Sequence, residues 1–319
     1  MEKIEKEKAK MNVWKITAII LIIIVMAILA LKGCGHILSR IPSVPDDYVK
    51  KVQTGGNIEA KYLAMGSHDT EYYEAGAMMS FQKFEIYYPK DIKNMDKLPV
   101  VVFVNGTGVK GSKYSALQKH LASWGFITIA TEEEYAWNGF SAEMSVRYLE
   151  LLNQYQEDGK ENVFYDKIDM DKIGITGHSQ GGIGAINAVT EQKHFDIYKA
   201  AVILSSTETD AAKALLWDSD SSLIKTNTLM IASNGAADLK ISPLDSLMKT
   251  YNNIRNDVSK VLAIRNDCDH GEMLYYADGY VTAWFMHYLE GDTEAGKAFF
   301  GENAEINSNP LYQDVQVHK

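Results

Sequence analysis

The sequence predicts an α/β fold in which a mostly parallel central sheet is covered by helices on both faces. Three observations point to it. Short, almost purely apolar runs recur along the chain, such as Leu98-Pro99-Val100-Val101-Val102-Phe103-Val104 and Ala200-Ala201-Val202-Ile203-Leu204. A strand without a polar face is buried on both sides, as the strands of parallel sheets are. Helix-period segments separate these runs, as crossover connections require. Finally, an alternating run through Ile173 and Ile175 ends in Gly177-His178-Ser179-Gln180-Gly181 and passes directly into a helix-compatible stretch, Ile183 to Val189.

The chain has 319 residues, 46% hydrophobic and 23% charged, which suits one large domain with an appendage. A net charge of −10 without a Lys/Arg stripe excludes nucleic acid as an expected partner. Cys34 and Cys268 are too few for a disulfide framework, and Cys268 reads as a small packed thiol.

At the N-terminus Lys3, Lys6, Lys8, Lys10 and Lys15 are interleaved with Glu2, Glu5 and Glu7, ahead of an uncharged run over residues 16–31 that Lys32 closes. The run is short for a spanning helix of about 20 residues and at the upper edge of a signal-peptide core of about 7–15. The lysine excess is expected to stay in the cytoplasm, with everything after Lys32 outside. A signal-anchor in the cell membrane is favoured because no small-x-small cleavage site follows. A lipoprotein signal acylated at Cys34 and a cleaved leader on a secreted protein are the alternatives. The expected plan is residues 1–33 as cytoplasmic segment and transmembrane signal-anchor, 34–60 as linker and 61–319 as catalytic domain. Pro42, Pro45 and Gly55-Gly56 are what mark the linker.

Phe81, Phe84, Ile86 and Tyr88 fall at near-alternate spacing, and Leu98 to Val104 forms a central strand with Asn105-Gly106-Thr107-Gly108 at its end. Ser112 to Trp124 is amphipathic, with Gly125 as its stop. Phe126 to Ala130 is the next strand, Ser141 to Tyr155 the next helix. After the Ser179 turn come strands at Ala200–Leu204, Thr228–Ala232 and Val261–Ile264, and a closing helix around Tyr280 to Leu289. The polar tail after Gly301 is expected to be only partly ordered.

Strand, tight turn and helix around G-x-S-x-G form the context of a nucleophile elbow. Ser179 needs a strained backbone there, and side chains two residues before or after it would collide with neighbouring elements; hence Gly177 and Gly181. A serine hydroxyl attacks well only when a base takes its proton and a third group holds that base. The partners are expected on loops at the carboxyl ends of later strands. Asp238 is the choice for the acid, with Asp245, Asp267 and Asp269 as nearby alternatives, and His270 is the choice for the base. Asp267 and Asp269 read as loop-shaping carboxylates. His178 adjoins the nucleophile and points away, His120 and His194 read as helix-surface or loop residues, and His287 sits at core-facing spacing. For the tetrahedral oxyanion, the N–H groups of Gln180 and Thr107 are expected donors.

From Phe84 to Gly301 the sequence resembles the α/β-hydrolase superfamily, and within it the branch of cutinase-like polyester hydrolases, bacterial lipases and dienelactone-hydrolase relatives. The likeness rests on Val102-Phe103-Val104-Asn105-Gly106-Thr107-Gly108, Leu121-Ala122-Ser123-Trp124-Gly125-Phe126 and Gly177-His178-Ser179-Gln180-Gly181-Gly182. It continues through Asp238 before Ile241-Ser242-Pro243, Asp269-His270-Gly271, Ala283-Trp284-Phe285 and Leu289-Glu290-Gly291-Asp292. The resemblance implies the α/β-hydrolase fold, a triad of Ser179, Asp238 and His270, and oxyanion amides at Thr107 and Gln180. It departs from the polyester-degrading members where Ser205-Ser206-Thr207 stands in place of an expected Trp, and in having no paired C-terminal cysteines.

Only Ser205 to Asn227 separates two successive strands, room for one short helix and no large lid. An open site for short to medium acyl chains follows, with Trp137, Trp217, Tyr275 and Tyr276 as candidate walls. The expected activity is carboxylic ester hydrolysis by a serine hydrolase on a small-molecule or lipid-like ester, without metal or organic cofactor. A lipase or cutinase-like polyester hydrolase, an acyltransferase or peptidase on the same scaffold, and a tethered binding protein without catalysis are the rival readings. Nothing in the sequence bears on oligomeric state.

Overall fold

A computed structural model describes residues 43–156 and 161–319. The expected signal-anchor, the alternative acylation site Cys34 and the first part of the expected linker lie outside the described residues. Among the described residues no helix is long and apolar enough to cross a membrane.

The strands are β1 Thr70–Gly76, β2 Lys83–Pro89, β3 Leu98–Val104, β4 Ile127–Thr131, β5 Ile168–His178, β6 Tyr198–Leu204, β7 Asn227–Ser233, β8 Lys260–Arg265 and β9 Tyr312–His318. They form one sheet in the order β1-β2-β4-β3-β5-β6-β7-β8-β9. Strands β3 to β8 are parallel, while β2 joins β4, and β9 joins β8, antiparallel.

Alternation along each strand sends side chains to two cores. Val101 and Phe103 of β3 enter one, Val100, Val102 and Val104 the other. The first core is closed by α2, Ser115–Ser123, and α7, Asp278–Glu290, through Leu117, Leu121, Trp284 and Phe285. The second is closed by α3, Phe140–Gln154, α4, Gln180–Ala188, and α5, Leu244–Asn253. Continuous apolar strands are thus buried on both faces, as their lack of a polar face requires. Between β6 and β7 stand one short helix, Thr209–Ala214, and a 3₁₀ turn, Ser221–Leu223.

The structure departs from the sequence expectation at both ends of the described domain, and the two departures are linked. Residues 43–60 were expected as linker, yet Val44 and Tyr48 are buried and Asn57–Leu63 is a helix, α1. The tail after Gly301 was expected to be partly ordered, yet it forms β9 on the edge of the sheet. Each segment holds the other. The Glu305 carboxylate accepts the N–H groups of Ile58 and Glu59 at 2.7 and 2.8 Å, where the positive end of α1 favours an anion. Tyr312 and Asn309 both donate to the buried Glu59 carboxylate at 2.8 Å. Arg265 at the end of β8 donates to the carbonyl of Gln53 at 2.8 Å.

Candidate active site

Strand β5 ends at His178, and Ser179 turns the chain into α4 with φ 58° and ψ −124°. A non-glycine residue at that angle is strained and persists only where the surroundings enforce it. Here Ser179 N–H donates to Leu204 O of β6 at 2.9 Å, and Ser179 O accepts from Gly182 N–H at 2.9 Å. The glycines are needed for space. A Cβ on Gly177 would lie 2.0 Å from Gly181 O, and one on Gly181 would lie 2.2 Å from Val104 O. The turn therefore closes only with both glycines in place.

Asp238 and His270 arrive from two later connections. His270 Nδ1 lies 2.8 Å from Asp238 Oδ1, and Asp238 is wholly buried. The second oxygen, Oδ2, accepts three donors: Ser205 Oγ at 2.5 Å, Ser233 N at 2.6 Å and Ser233 Oγ at 2.8 Å. Burial alone raises this carboxyl, but the bonds from His270, Ser205 and Ser233 outweigh it and hold Asp238 below the ordinary carboxylate value.

Asp269 binds the two loops together. Its Oδ1 accepts the N–H groups of His270, Ala237 and Asp238 at 2.8, 3.0 and 3.1 Å. Those backbone bonds, led by the one from His270, keep its carboxyl below the usual value despite some burial. This is the loop-shaping role expected of it. Asp267 adds a left-handed backbone at φ 59°.

His178, the residue before Ser179, takes a position of consequence against the His270 loop. Its Nε2 lies 2.7 Å from His270 O, and the two rings are 4.6 Å apart. Burial, helped by the neighbouring His270, pushes its pKa down to about 4, so the ring stays neutral and Nε2–H is the donor. The other expectations for histidine fare unevenly. His194 is partly buried against Glu143 at 3.0 Å. His287 Nδ1 lies 3.1 Å from Asp292 O. His120, expected at the surface, is wholly buried against Asp278 at 2.7 Å, with Ala64 O, just past the end of α1, 2.9 Å from its Nε2.

The loop expected to supply an oxyanion donor follows β3. Asn105 Nδ2 donates to Thr131 O and Glu133 O, Gly106 N–H to Tyr114 Oη at 3.1 Å, and Gly108 N–H to Glu134 O at 2.7 Å. The loop is thereby pinned on both sides of Thr107, whose own N–H has no partner among the described residues. Gln180 N–H is at the first position of α4, where no intrahelical acceptor exists. Thr107, Ser179 and His270 line one cleft of about 670 Å³. Of the four aromatic walls expected, Tyr275 lines this cleft; Trp137, Trp217 and Tyr276 do not.

Cys268 is packed against Met273, with Sγ 3.4 Å from its Sδ, and burial pushes the thiol up to about 12. That is an inert core thiol. Among the described residues no group of three or more His, Cys, Asp or Glu side chains is arranged to hold a metal ion.

A strained serine at a strand-to-helix turn, beside a His–Asp pair on later loops of a parallel sheet, is an arrangement shared by many hydrolases. A family model described as PET hydrolase-like matches residues 52–314. The chain belongs to the PET hydrolase-like family. It is therefore an α/β-hydrolase, and the match takes in every residue discussed above from Val52 onward except the last residues of β9. A second similarity is partial. Over 130 residues the chain is 28% identical to dipeptidyl peptidase 8 of Mus musculus and of Homo sapiens, covering 37% of this chain and 14% of that protein. The chain thus spans a small part of the length of those relatives.

Reasoning from sequence missed Ser205 and Ser233, the two hydroxyl residues that hold Asp238. The available signal is positional: Ser233 ends β7 and Ser205 immediately follows β6, at the carboxyl edge of the sheet where sites of this fold gather.

Proposed function

We propose that this chain is a serine hydrolase that cleaves carboxylic esters of short to medium acyl length through Ser179, His270 and Asp238. The observation that carries the reading is the joint placement of Ser179, at φ 58°, and His270, bonded to buried Asp238, on one cleft. In this reading His270 Nε2 takes the Ser179 proton as Oγ attacks the ester carbonyl. The oxyanion rests on the N–H groups of Thr107 and Gln180. His270 then protonates the leaving alcohol, and water repeats the sequence on the acyl-enzyme. The family's name favours ester and polyester substrates. Absence of a large lid between β6 and β7 favours access to bulky ones. The partial likeness to dipeptidyl peptidase 8 favours amide cleavage as the second reading. The lysine-rich leader and the apolar run 16–31 support an anchored enzyme with its catalytic domain outside the cytoplasm.

The test is hydrolysis of p-nitrophenyl butyrate by the full chain beside Ser179→Ala. A loss of about 10³-fold or more in the variant is expected. Equal turnover by both proteins sinks the reading, and turnover of peptide amides but not esters replaces it with the second.

A further inference from the structure

The cleft that holds Ser179 is nearly free of charge, and the exception has a partner. Its wall includes Val109, Ile241 and Leu274, which are apolar, and Ser43, which is neutral. Apart from the histidines, the ionisable side chains on it are Glu272 and Tyr275. Lys110 and Lys240 adjoin lining residues in the chain but do not line the cleft, and Lys110 donates to Gln82 at 3.1 Å. The one formal charge facing the substrate is therefore negative.

Glu272 and Tyr275 stand three residues apart at the start of α6, Met273–Tyr276, with Tyr275 N–H donating to Glu272 O at 3.0 Å. At that spacing two side chains share one face of a helical turn. One Glu272 oxygen, Oε2, is used: it accepts the N–H of Asp269 at 2.9 Å and so is held at a fixed place beside the His270 loop. The other, Oε1, has no hydrogen-bond partner among the described residues. The Tyr275 ring is fixed by edge contacts with Tyr48 and Tyr276, at centroid distances of 5.7 and 5.3 Å. A half-buried carboxylate with one free oxygen, on the same cleft wall as a held tyrosine three residues on, offers a cation opposite charge and an aromatic neighbour. In a cleft with apolar walls such a charge acts over a longer range than it does on an open surface.

We infer that the site selects esters that carry a positive charge, a quaternary or primary ammonium group on the alcohol or acyl part, and that Glu272 and Tyr275 form the recognition corner. The inference rests on the serine-hydrolase reading above and adds its substrate class.

The test compares two thioesters of one shape, acetylthiocholine and 3,3-dimethylbutyl thioacetate, which differ in having nitrogen or carbon at the branched centre. The full chain is assayed with both. The wild type is expected to prefer the cationic ester by roughly tenfold in kcat/KM, mostly through KM, with the preference shrinking at 1 M salt. In Glu272→Gln, whose side-chain carbonyl still accepts the Asp269 N–H, the ratio is expected to fall toward 1. Tyr275→Leu is expected to lower it severalfold. Because the ratio is read within each variant, a general loss of activity cancels. A wild-type ratio of 1 or below, or a ratio unmoved by Glu272→Gln, overturns the inference while leaving the hydrolase reading intact. Where neither thioester is turned over, the rates at which a cationic and a neutral fluorophosphonate label Ser179 supply the same ratio. Labelling by neither overturns both readings.

Discussion

Among the described residues two histidines are paired with a buried aspartate at nearly equal length, and one of the two pairs lies on the cleft that holds Ser179. His270 meets Asp238 at 2.8 Å on the cleft; His120 meets Asp278 at 2.7 Å in the core. The difference lies in the second nitrogen. His120 Nε2 lies 2.9 Å from Ala64 O, and Tyr48 Oη also donates to Asp278. Both nitrogens of His120 thus lie against acceptors, an arrangement that favours the protonated ring. The attraction and bonding of Asp278 and the bond to Ala64 override the effect of burial and raise its pKa. His270 spends Nδ1 on Asp238 and leaves Nε2 without a partner among the described residues, on a ring that is 18% exposed. A carboxylate behind a histidine is therefore no mark of catalysis in itself. What permits proton transfer is a nitrogen left open toward the cleft.

The largest expected effects separate the two pairs. Asp238→Asn is expected to lower kcat on p-nitrophenyl butyrate by about 10⁴, through loss of the tautomer that presents a free Nε2. Asp278→Asn is expected to act on the fold instead, costing about 3–5 kcal/mol because it strands a buried imidazolium. Turnover per folded molecule, counted by fluorophosphonate titration, should then stay near that of the wild type. Should Asp278→Asn lower turnover as far as Asp238→Asn while urea unfolding hardly changes, the division of labour is wrong.

A smaller effect sharpens the contrast through pH. The folded pKa of His120 is raised, so its folded form binds more protons than the unfolded chain. That stabilisation is full below the unfolded value of about 6.5 and is lost as pH rises through the folded one. His178 has the opposite sign. Its folded pKa is near 4, so its stabilisation is present above about 6.5 and lost as pH falls from there toward 4, up to ~3 kcal/mol in all. Urea unfolding of the wild type across pH 4 to 9 should show both slopes. His178→Gln should flatten the acid side alone, and Asp278→Asn the alkaline side alone. An acid slope that survives in His178→Gln assigns it to other groups.

How far the sequence discloses these features follows how far apart the cooperating residues lie. The elbow is legible because all its parts are contiguous: the alternating strand, the strained Ser179 and the two glycines occupy one short stretch. The central strand β3 is legible because burial on both faces leaves no polar position, and β8 because its middle, Val261 to Ile264, is wholly apolar. Strands at the edge are not. Neither β1, with Tyr72 and Glu74 in its run, nor β9, with Gln313, Asp314 and Gln316, is apolar enough to stand out. The packed segment after residue 43 was hidden for another reason. Its breaks at Pro45 and Gly55-Gly56 are local, while what orders it, Glu305, Asn309 and Tyr312, lies about 250 residues away. His120 is the same case, its partner Asp278 being on the far side of the sequence. In the site, Asp238 and His270 follow from strand order, but the support from Ser205 does not, since it crosses between adjacent strands that only the fold brings together.

Ser205 allows support of the acid to be separated from support of the fold. Its hydroxyl donates to Asp238 Oδ2 at 2.5 Å, and its backbone sits at φ 41°, in the region that favours glycine. Ser205→Ala keeps the strain and loses the donor to a buried charge, which is expected to cost about 1.5–3 kcal/mol. Ser205→Gly loses the donor too but relieves the strain, and should recover roughly 1 kcal/mol of that. The two variants share the altered Asp238, so their kcat values should drop together, by an amount smaller than in Asp238→Asn, while their urea midpoints differ. If kcat instead follows the midpoint, with Ser205→Gly clearly the more active, Ser205 serves the site only by keeping the loop folded. Equal activity at unequal stability identifies its hydroxyl as part of what holds the acid in place behind His270.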